Sequence, residues 1–169
     1  MKKLFSFLRP RARPRDRESD DADSRASPIS PDSYEDKPIF LLCLHDRLLA
    51  EHYKALLTER LPDFRVLRSD SPEQTAALCR ETHPAALLME VLAYQPWTLA
   101  ERQALCETAR GLSPSCKLLF LVDEQSDKEL ARQVTACKRE GLIDEFIFRS
   151  ISDSYFVDLL EVLCVEAAP

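Results

Sequence analysis

Apolar runs and amphipathic stretches alternate along the chain from residue 38 onward, and this alternation predicts its secondary structure. Five short runs are apolar almost throughout, which is typical of strands that are covered on both faces in a parallel sheet. They lie at residues 38–44, 64–68, 85–89, 117–122 and 143–148. Between and after them, apolar residues recur at three- and four-residue spacing, which indicates amphipathic helices. These lie at residues 47–61, 71–82, 98–111 and 126–141, and from about residue 153.

The ends of the helices carry their own signals. Ser71, Thr98 and Ser126 each precede a glutamine or glutamate by three residues, which is the pattern of a capping box, and are predicted to begin helices. The third helix is predicted to stop near Gly111 and the fourth to end at Gly141. Five strands that alternate with five helices through short connections require crossovers between parallel strands. The predicted fold is therefore an α/β three-layer (αβα) doubly wound sheet of five parallel strands.

Residues 1–37 have a composition unlike the rest of the chain. The first 17 residues hold seven basic side chains and one acidic side chain, and residues 18–37 hold seven acidic and two basic side chains. A segment so rich in charge, proline and serine buries too little apolar surface to offset the entropy of ordering. We therefore expect a disordered, basic-then-acidic tail before a domain at residues 38–165. Apolar residues near the start would let residues 1–17 touch an anionic membrane surface weakly; the alternative is a solvated tail.

Composition argues against several classes of function. The formal net charge of −6 argues against a general nucleic-acid-binding protein. Only two glycines occur, so the chain lacks a phosphate-binding loop, which argues against a nucleotide-binding enzyme. The six cysteines form no Cys-x-x-Cys motif, so we expect buried thiols in a reducing compartment. No apolar run approaches the ~20 residues that span a bilayer, and the sequence predicts a cytoplasmic protein, peripheral at the membrane if the tail binds lipid.

Candidate functional residues follow the predicted strands. In a doubly wound sheet the carboxyl ends of the strands meet at one edge, where binding and catalytic sites form. The polar residues at these ends are, in chain order, His45, Asp46, Glu90, Asp123 and Arg149. Glu90 ends a buried strand, so it is either a solvated charge or one with a partner, since an unpaired buried carboxylate is costly. Tyr94 and Trp97, in the next loop, are either an exposed contact patch or a cover for the neighbouring helix.

The order of strands and helices over residues 38–164, with these residues at the strand ends, resembles the receiver domain of two-component response regulators. In receivers, two acids after the first strand hold a divalent metal ion and an aspartate after the third accepts a phosphoryl group. A hydroxyl after the fourth strand and a lysine after the fifth bind that group. The resemblance implies a receiver or flavodoxin-like sheet in which the equivalent positions are His45, Asp46, Glu90, Val122 and Arg149.

These positions depart from the receiver pattern. The carboxylate of Glu90 would lie about 1.5 Å farther out than that of an aspartate, and in-line transfer is sensitive to such a shift. Val122 has no hydroxyl, Arg149 replaces the lysine, and Phe146 stands without a hydroxyl at the aromatic switch position. The resemblance thus implies a degenerate receiver, or pseudo-receiver, in which Glu90 paired with Arg149 would fix one signalling state without phosphorylation.

The function implied by the resemblance is protein–protein interaction in bacterial signal transduction, without catalysis and without a resident cofactor. The face of the fourth helix, fifth strand and fifth helix would bind a protein partner or a second copy. Its candidate residues are Lys138, Arg139, Phe148, Asp153 and Tyr155. Two alternatives stay open: a phosphoaccepting stand-alone response regulator, in which Asp46 and Glu90, with Asp123, hold Mg²⁺, and an adaptor recruited to a membrane by the tail.

Overall fold

The computed structural model describes residues 37–165, and the five predicted strands and five predicted helices are all present there. The predicted tail over residues 1–36 lies outside the described residues, as does the membrane contact expected of residues 1–17. Within residues 37–165, none of the helices combines the length and the apolar character needed to cross a membrane.

Five parallel strands form a single sheet. They are β1 (Ile39–Cys43), β2 (Arg65–Ser69), β3 (Ala86–Glu90), β4 (Lys117–Val122) and β5 (Glu145–Phe148). The helices are α1 (Arg47–Arg60), α2 (Pro72–Thr82), α3 (Leu99–Leu112), α4 (Lys128–Arg139) and α5 (Asp153–Val165). The strand order is β2-β1-β3-β4-β5, with every neighbouring pair parallel. The predicted doubly wound α/β fold is confirmed.

Alternate residues of the central strands face opposite layers of helices, because successive side chains of a strand point to opposite faces. Leu41 and Leu87 pack with residues of α2, α3 and α4, whereas Phe40 and Leu42 pack with residues of α1 and α5. All four side chains are fully buried. Two apolar layers therefore hold the three-layer sandwich together, and the candidate residues Glu90 and Arg149 lie at or just after strand ends.

The predicted start of α4 is wrong in detail. The cap of α4 is Asp127, whose carboxylate accepts hydrogen bonds from two amides of the first turn (3.1 and 2.9 Å), whereas Ser126 bonds within the preceding loop. α3 ends at Leu112, near Gly111 as predicted, although Gly111 itself has no positive φ. Gly141 does follow α4, with a φ of +75° that glycine adopts without strain.

The six cysteines, all among the described residues, are buried and form no disulfide bonds. Burial raises the pKa of Cys106 and Cys116 to about 12 and that of Cys79 and Cys164 to about 11. Because the thiolate is the reactive form, we expect a chromogenic thiol reagent to label none of the six quickly in the native protein at about pH 8. All should react once guanidinium unfolds the chain. A fast native phase would contradict the burial of the reacting thiol.

Candidate functional site

Glu90 lies at the carboxyl end of β3, a central strand, and only 3% of its surface is exposed. Its Oε2 accepts hydrogen bonds from the backbone amides of His45 (2.7 Å) and Asp46 (3.1 Å), in the loop between β1 and α1. Its Oε1 lies 3.4 Å from a guanidinium nitrogen of Arg149. Glu90 is therefore a buried carboxylate with partners, and its interpretation as a solvated charge is wrong.

Arg149 follows β5 and contacts side chains from two other strand ends. Its backbone amide donates to the carbonyl of Val122 at 3.0 Å, which holds it beside the end of β4. One terminal nitrogen faces Glu90, and the other donates to the carboxylate of Asp46. The arginine side chain is 37% exposed, so solvent reaches one side of the group. Asp46, Glu90 and Arg149 together are called the carboxylate–arginine cluster below.

Asp46 also serves as the N-cap of α1. Its Oδ1 accepts hydrogen bonds from the amides of Leu48 (3.0 Å) and Leu49 (3.1 Å), while its Oδ2 pairs with Arg149. The bond from Leu49, supported by Arg149 and Leu48, holds the pKa of Asp46 below its usual value against the opposing effect of burial. At neutral pH this carboxylate is therefore ionised and bound at both oxygens.

Asp123, the acid after β4, does not join the cluster. Its carboxylate accepts hydrogen bonds from the Ser126 hydroxyl (2.5 Å) and from the amides of Gln125 (2.9 Å) and Ser126 (3.2 Å), all within its own loop. The hydroxyl of Ser126 is the main cause of the lowered pKa of Asp123. The predicted metal site that would join Asp123 to Asp46 and Glu90 is therefore not formed, because the Asp123 carboxylate bonds within the β4–α4 loop.

The side chain of His45 points away from the cluster. Its ring is exposed and makes edge-on contacts with Tyr94 (5.6 Å between ring centroids) and Trp97 (5.4 Å). Tyr94 is 52% exposed, whereas Trp97 is only 5% exposed and lies against α3 through Arg102. Tyr94 is therefore an exposed surface residue, as the first interpretation has it, whereas Trp97 covers the neighbouring helix, as the second has it.

Arg102 lies beside the site and is not among the residues predicted from the sequence. It lies in α3, is fully buried, and donates hydrogen bonds to the Pro96 carbonyl (2.5 Å) and to the sulfur of Cys43 (3.2 Å). Its guanidinium carbon is 4.7 Å from the centroid of the Trp97 ring, while its Nε has no hydrogen-bond partner. The sequence feature that could have revealed its burial is its position on the apolar face of α3, three residues before Leu105. Arg102 therefore ties the β3–α3 loop to β1.

Of the three predicted switch positions, Val122, Phe146 and Arg149, the first two offer no polar group to the cluster. Val122 is buried at the end of β4, and Phe146 is half-buried in β5 with its ring edge-on to Phe148 at 5.2 Å. The amino group of Lys138 lies 5.9 Å from the centroid of the Phe146 ring and pairs with Glu145. Of the residues at these positions, only Arg149 bonds to Glu90.

The residues of the predicted interaction face have different surroundings. Lys138, Arg139 and Tyr155 are exposed, and Phe148 is half-buried. Asp153 is exposed as well, but its carboxylate lies 2.9 Å from Nε2 of His52, a residue of α1. Asp153 therefore ties α5 to α1, while the other four remain candidates for contact with a partner.

No protein-family model and no curated protein matches this chain by sequence. Its structure is similar to that of a CheY-like response regulator receiver domain protein from Methanospirillum hungatei JF-1, with a TM-score of 0.63 at 13% identity over 78% of this chain and 96% of that one. A CheY-like protein (tadZ) from Pseudomonas aeruginosa PAO1 gives 0.57 at 17% identity over 75% and 99%. The chain has the receiver fold.

A third similar structure, adenylate cyclase from Rhodopirellula baltica, has a TM-score of 0.62 at 16% identity, over 78% of this chain and 90% of that one. CheY-like proteins and an adenylate cyclase thus share this fold. At identities this low, the structural similarity establishes the receiver fold, and any activity must be argued from the site itself.

The residues at the metal position of this receiver fold do not fit a magnesium ion, which prefers several oxygen ligands in octahedral geometry. His45 replaces one acid, and its ring faces Tyr94. The carboxylate of Asp46 is bound by the α1 amides and by Arg149, and Glu90 is bound by two amides and Arg149. In the part of the chain that the structure describes, no three histidine, cysteine or acidic side chains gather around a common point for a metal ion.

Proposed function

We propose that this chain is a pseudo-receiver: a module of bacterial signal transduction that acts through protein–protein contacts, without phosphorylation and without catalysis of its own. One observation carries the proposal. The residue at the phosphoacceptor position is Glu90, a buried carboxylate whose two oxygens are both engaged by protein groups. The receiver fold of the similar structures supports the signalling role.

The geometry around Glu90 is unsuited to phosphoryl transfer. The attacking oxygen must approach the phosphorus atom in line with the leaving group, and small displacements are costly. Oε2 of Glu90 accepts two amide hydrogen bonds and Oε1 faces Arg149, so attack would require breaking buried hydrogen bonds. The new phosphoryl group would also find no hydroxyl at Val122. These features support a site that does not accept a phosphoryl group.

The carboxylate–arginine cluster supports a domain that rests in one signalling state. In a receiver the lysine after the fifth strand binds the phosphoryl group once it is attached. Here Arg149 contacts Glu90 and Asp46 in the unmodified chain. The end of β5, the end of β3 and the start of α1 are therefore joined without any modification.

The partner is expected on the α4–β5–α5 face, through Lys138, Arg139, Phe148 and Tyr155. The end of α4 is basic, whereas α5 carries no basic residue in its last turn. A protein partner and a second copy of the chain are both compatible with such a face.

A phosphodonor experiment tests the proposal. The full chain is incubated with Mg²⁺ and acetyl phosphate and analysed by intact-mass spectrometry, and in parallel its amide NMR spectrum is recorded with and without Mg²⁺ and beryllofluoride. We expect no species heavier by one phosphoryl group and no shifts at His45, Asp46 or Glu90, because the Glu90 oxygens are engaged. A phosphoaccepting receiver treated in the same way shows that the reagents are active.

A Glu90→Gln variant separates specific from incidental modification. A phosphorylated species that appears in the original chain and is lost in Glu90→Gln would establish the alternative, a phosphoaccepting response regulator. Metal-dependent shifts confined to Glu90 and Arg149 would lead to the same conclusion and would overturn the pseudo-receiver proposal.

A further inference from the structure

β5 is an edge strand of the sheet, paired with β4 on one side. An edge strand presents backbone amides and carbonyls that can pair with a strand of another molecule. The amide of Arg149 donates to the carbonyl of Val122, whose partner in the register is Phe148. Because successive amides of a strand point to opposite sides, the amides of Phe148 and Phe146 point away from β4. The open edge of β5 therefore carries these two amides.

One of the two outward amides is bonded to a side chain. The amide of Phe146 donates to Oε1 of Glu145 at 3.0 Å, and the other oxygen of this carboxylate pairs with the amino group of Lys138 in α4. The side chain of Glu145 is only 17% exposed. The Phe146 amide is therefore occupied by a carboxylate that a second element of the fold holds in place.

The side chain of Glu145 passes around the edge of the strand. Glu145 and Ile147 are two residues apart, so their side chains leave β5 on the same face, and Ile147 packs in the layer of α1 and α5. α4, which holds Lys138, packs on the opposite face through Val134. Because β4 closes the other side of β5, the carboxylate reaches Lys138 across the open edge. A charged group thus lies where an added strand would approach.

We propose that Glu145, held by Lys138, forms an autoinhibitory contact that keeps the β5 edge of one copy of this chain from pairing with the β5 edge of a second copy. The inference goes beyond the proposed function and does not depend on whether Glu90 accepts a phosphoryl group. The contact of Lys138 and Glu145 with the Phe146 amide is called the edge contact below.

The β5 edge suits pairing with its own copy once the edge contact is removed. In an antiparallel arrangement about a two-fold axis at Ile147, Phe146 of one copy would lie opposite Phe148 of the other, and each pair would exchange amide and carbonyl hydrogen bonds. The carboxylate of Glu145 prevents this exchange because it occupies the Phe146 amide. It also places an ion-paired charge, which strand pairing would strip of water, in the path of the incoming strand.

Sedimentation velocity of the full chain over a range of concentrations tests the edge contact. We expect Glu145→Ala to self-associate with a dissociation constant at least about tenfold lower than that of the original chain, because it frees the outward amide and removes the charge. Glu81→Ala is the matched control, since it removes an exposed acid on α2 and changes the net charge by the same amount. It should leave the dissociation constant within about twofold of the original.

Amide hydrogen exchange, followed by NMR, shows whether the β5 edge is the surface that pairs. In dilute, monomeric Glu145→Ala, the Phe146 amide should exchange about tenfold faster than in the original chain, because its acceptor is gone. At concentrations where the variant associates, the amides of Phe146 and Phe148 should become protected. Association without this protection, or equal sedimentation of Glu145→Ala and the original chain, would overturn the proposal.

A second variant tests the same contact without changing β5. Lys138→Gln removes the ammonium group and leaves the carboxylate, so we expect about threefold faster exchange at Phe146 and a smaller gain in self-association than in Glu145→Ala. Circular dichroism shows whether each variant is folded. If Glu145→Ala does not fold, Lys138→Gln carries the test, and an unchanged exchange rate at Phe146 would contradict the proposed role of the edge contact.

Discussion

Replacing Arg149 with alanine is expected to lower the free energy of unfolding by about 2 kcal/mol. The variant leaves the buried carboxylate of Glu90 with two amide hydrogen bonds and without the cation that contacts it. Breaking a fully buried ion pair costs about 3–5 kcal/mol, and the cost is smaller here because Arg149 is partly exposed and water replaces part of the lost interaction. Urea unfolding followed by the fluorescence of Trp97, the single tryptophan, measures it.

Two comparisons show whether the loss comes from the cluster. Arg47→Ala removes another exposed arginine at the same edge and should cost less than about 0.5 kcal/mol. In a Glu90→Gln background, Arg149→Ala should cost much less than in the original chain, because a neutral amide does not require a cation. An equal cost in both backgrounds would mean that Arg149 does not stabilise Glu90.

The dependence of stability on pH gives a second readout of Arg149, through its contact with Asp46. The hydrogen bond from the Leu49 amide, together with Arg149, lowers the pKa of Asp46 in the folded protein from its ordinary value of 3.8. The stabilisation contributed by such a carboxylate is present above its unfolded-state pKa and is lost as the pH falls through the lower folded value. Arg149→Ala reduces the lowering, so stability should fall less steeply below about pH 4 in the variant than in the original chain.

The sheet could be predicted from the sequence because its strands are apolar on both faces and its helices are amphipathic. The details that failed depend on competition between neighbours. Ser126 and Asp127 can both cap a helix, and Ser126 instead donates to the Asp123 carboxylate. Which of the two residues caps the helix does not follow from spacing along the chain.

The site was predictable only in part. Strand ends of a parallel sheet meet at one edge, and this alone predicts that Glu90 and Arg149 are near each other. The hydrogen bonds from the amides of His45 and Asp46 to Glu90 could not be predicted. The backbone of the β1–α1 loop sets the direction of these amides, and the side-chain pattern does not specify that backbone. Arg102 was missed because a charged residue within an apolar helical stripe is usually exposed at its border.

Replacing Arg102 with alanine is expected to lower the free energy of unfolding by about 3 kcal/mol. The side chain is fully buried, so its removal leaves a cavity, and it also leaves the Pro96 carbonyl without its donor. The ring of Trp97 would lose the guanidinium that lies against it. Urea unfolding measures the loss, and the tryptophan emission of the folded variant should shift to longer wavelength as water reaches the ring.

A methionine at the same position distinguishes packing from charge. Arg102→Met retains most of the volume and removes a buried cation whose Nε has no partner, so it should cost only about 1 kcal/mol and leave the Trp97 emission close to that of the original chain. Arg132→Ala, on an exposed position of α4, is the control for loss of one arginine and should cost less than about 0.5 kcal/mol. If methionine proved as costly as alanine, the hydrogen bonds to Pro96 and Cys43, rather than the volume of the side chain, would be what holds the β3–α3 loop against β1.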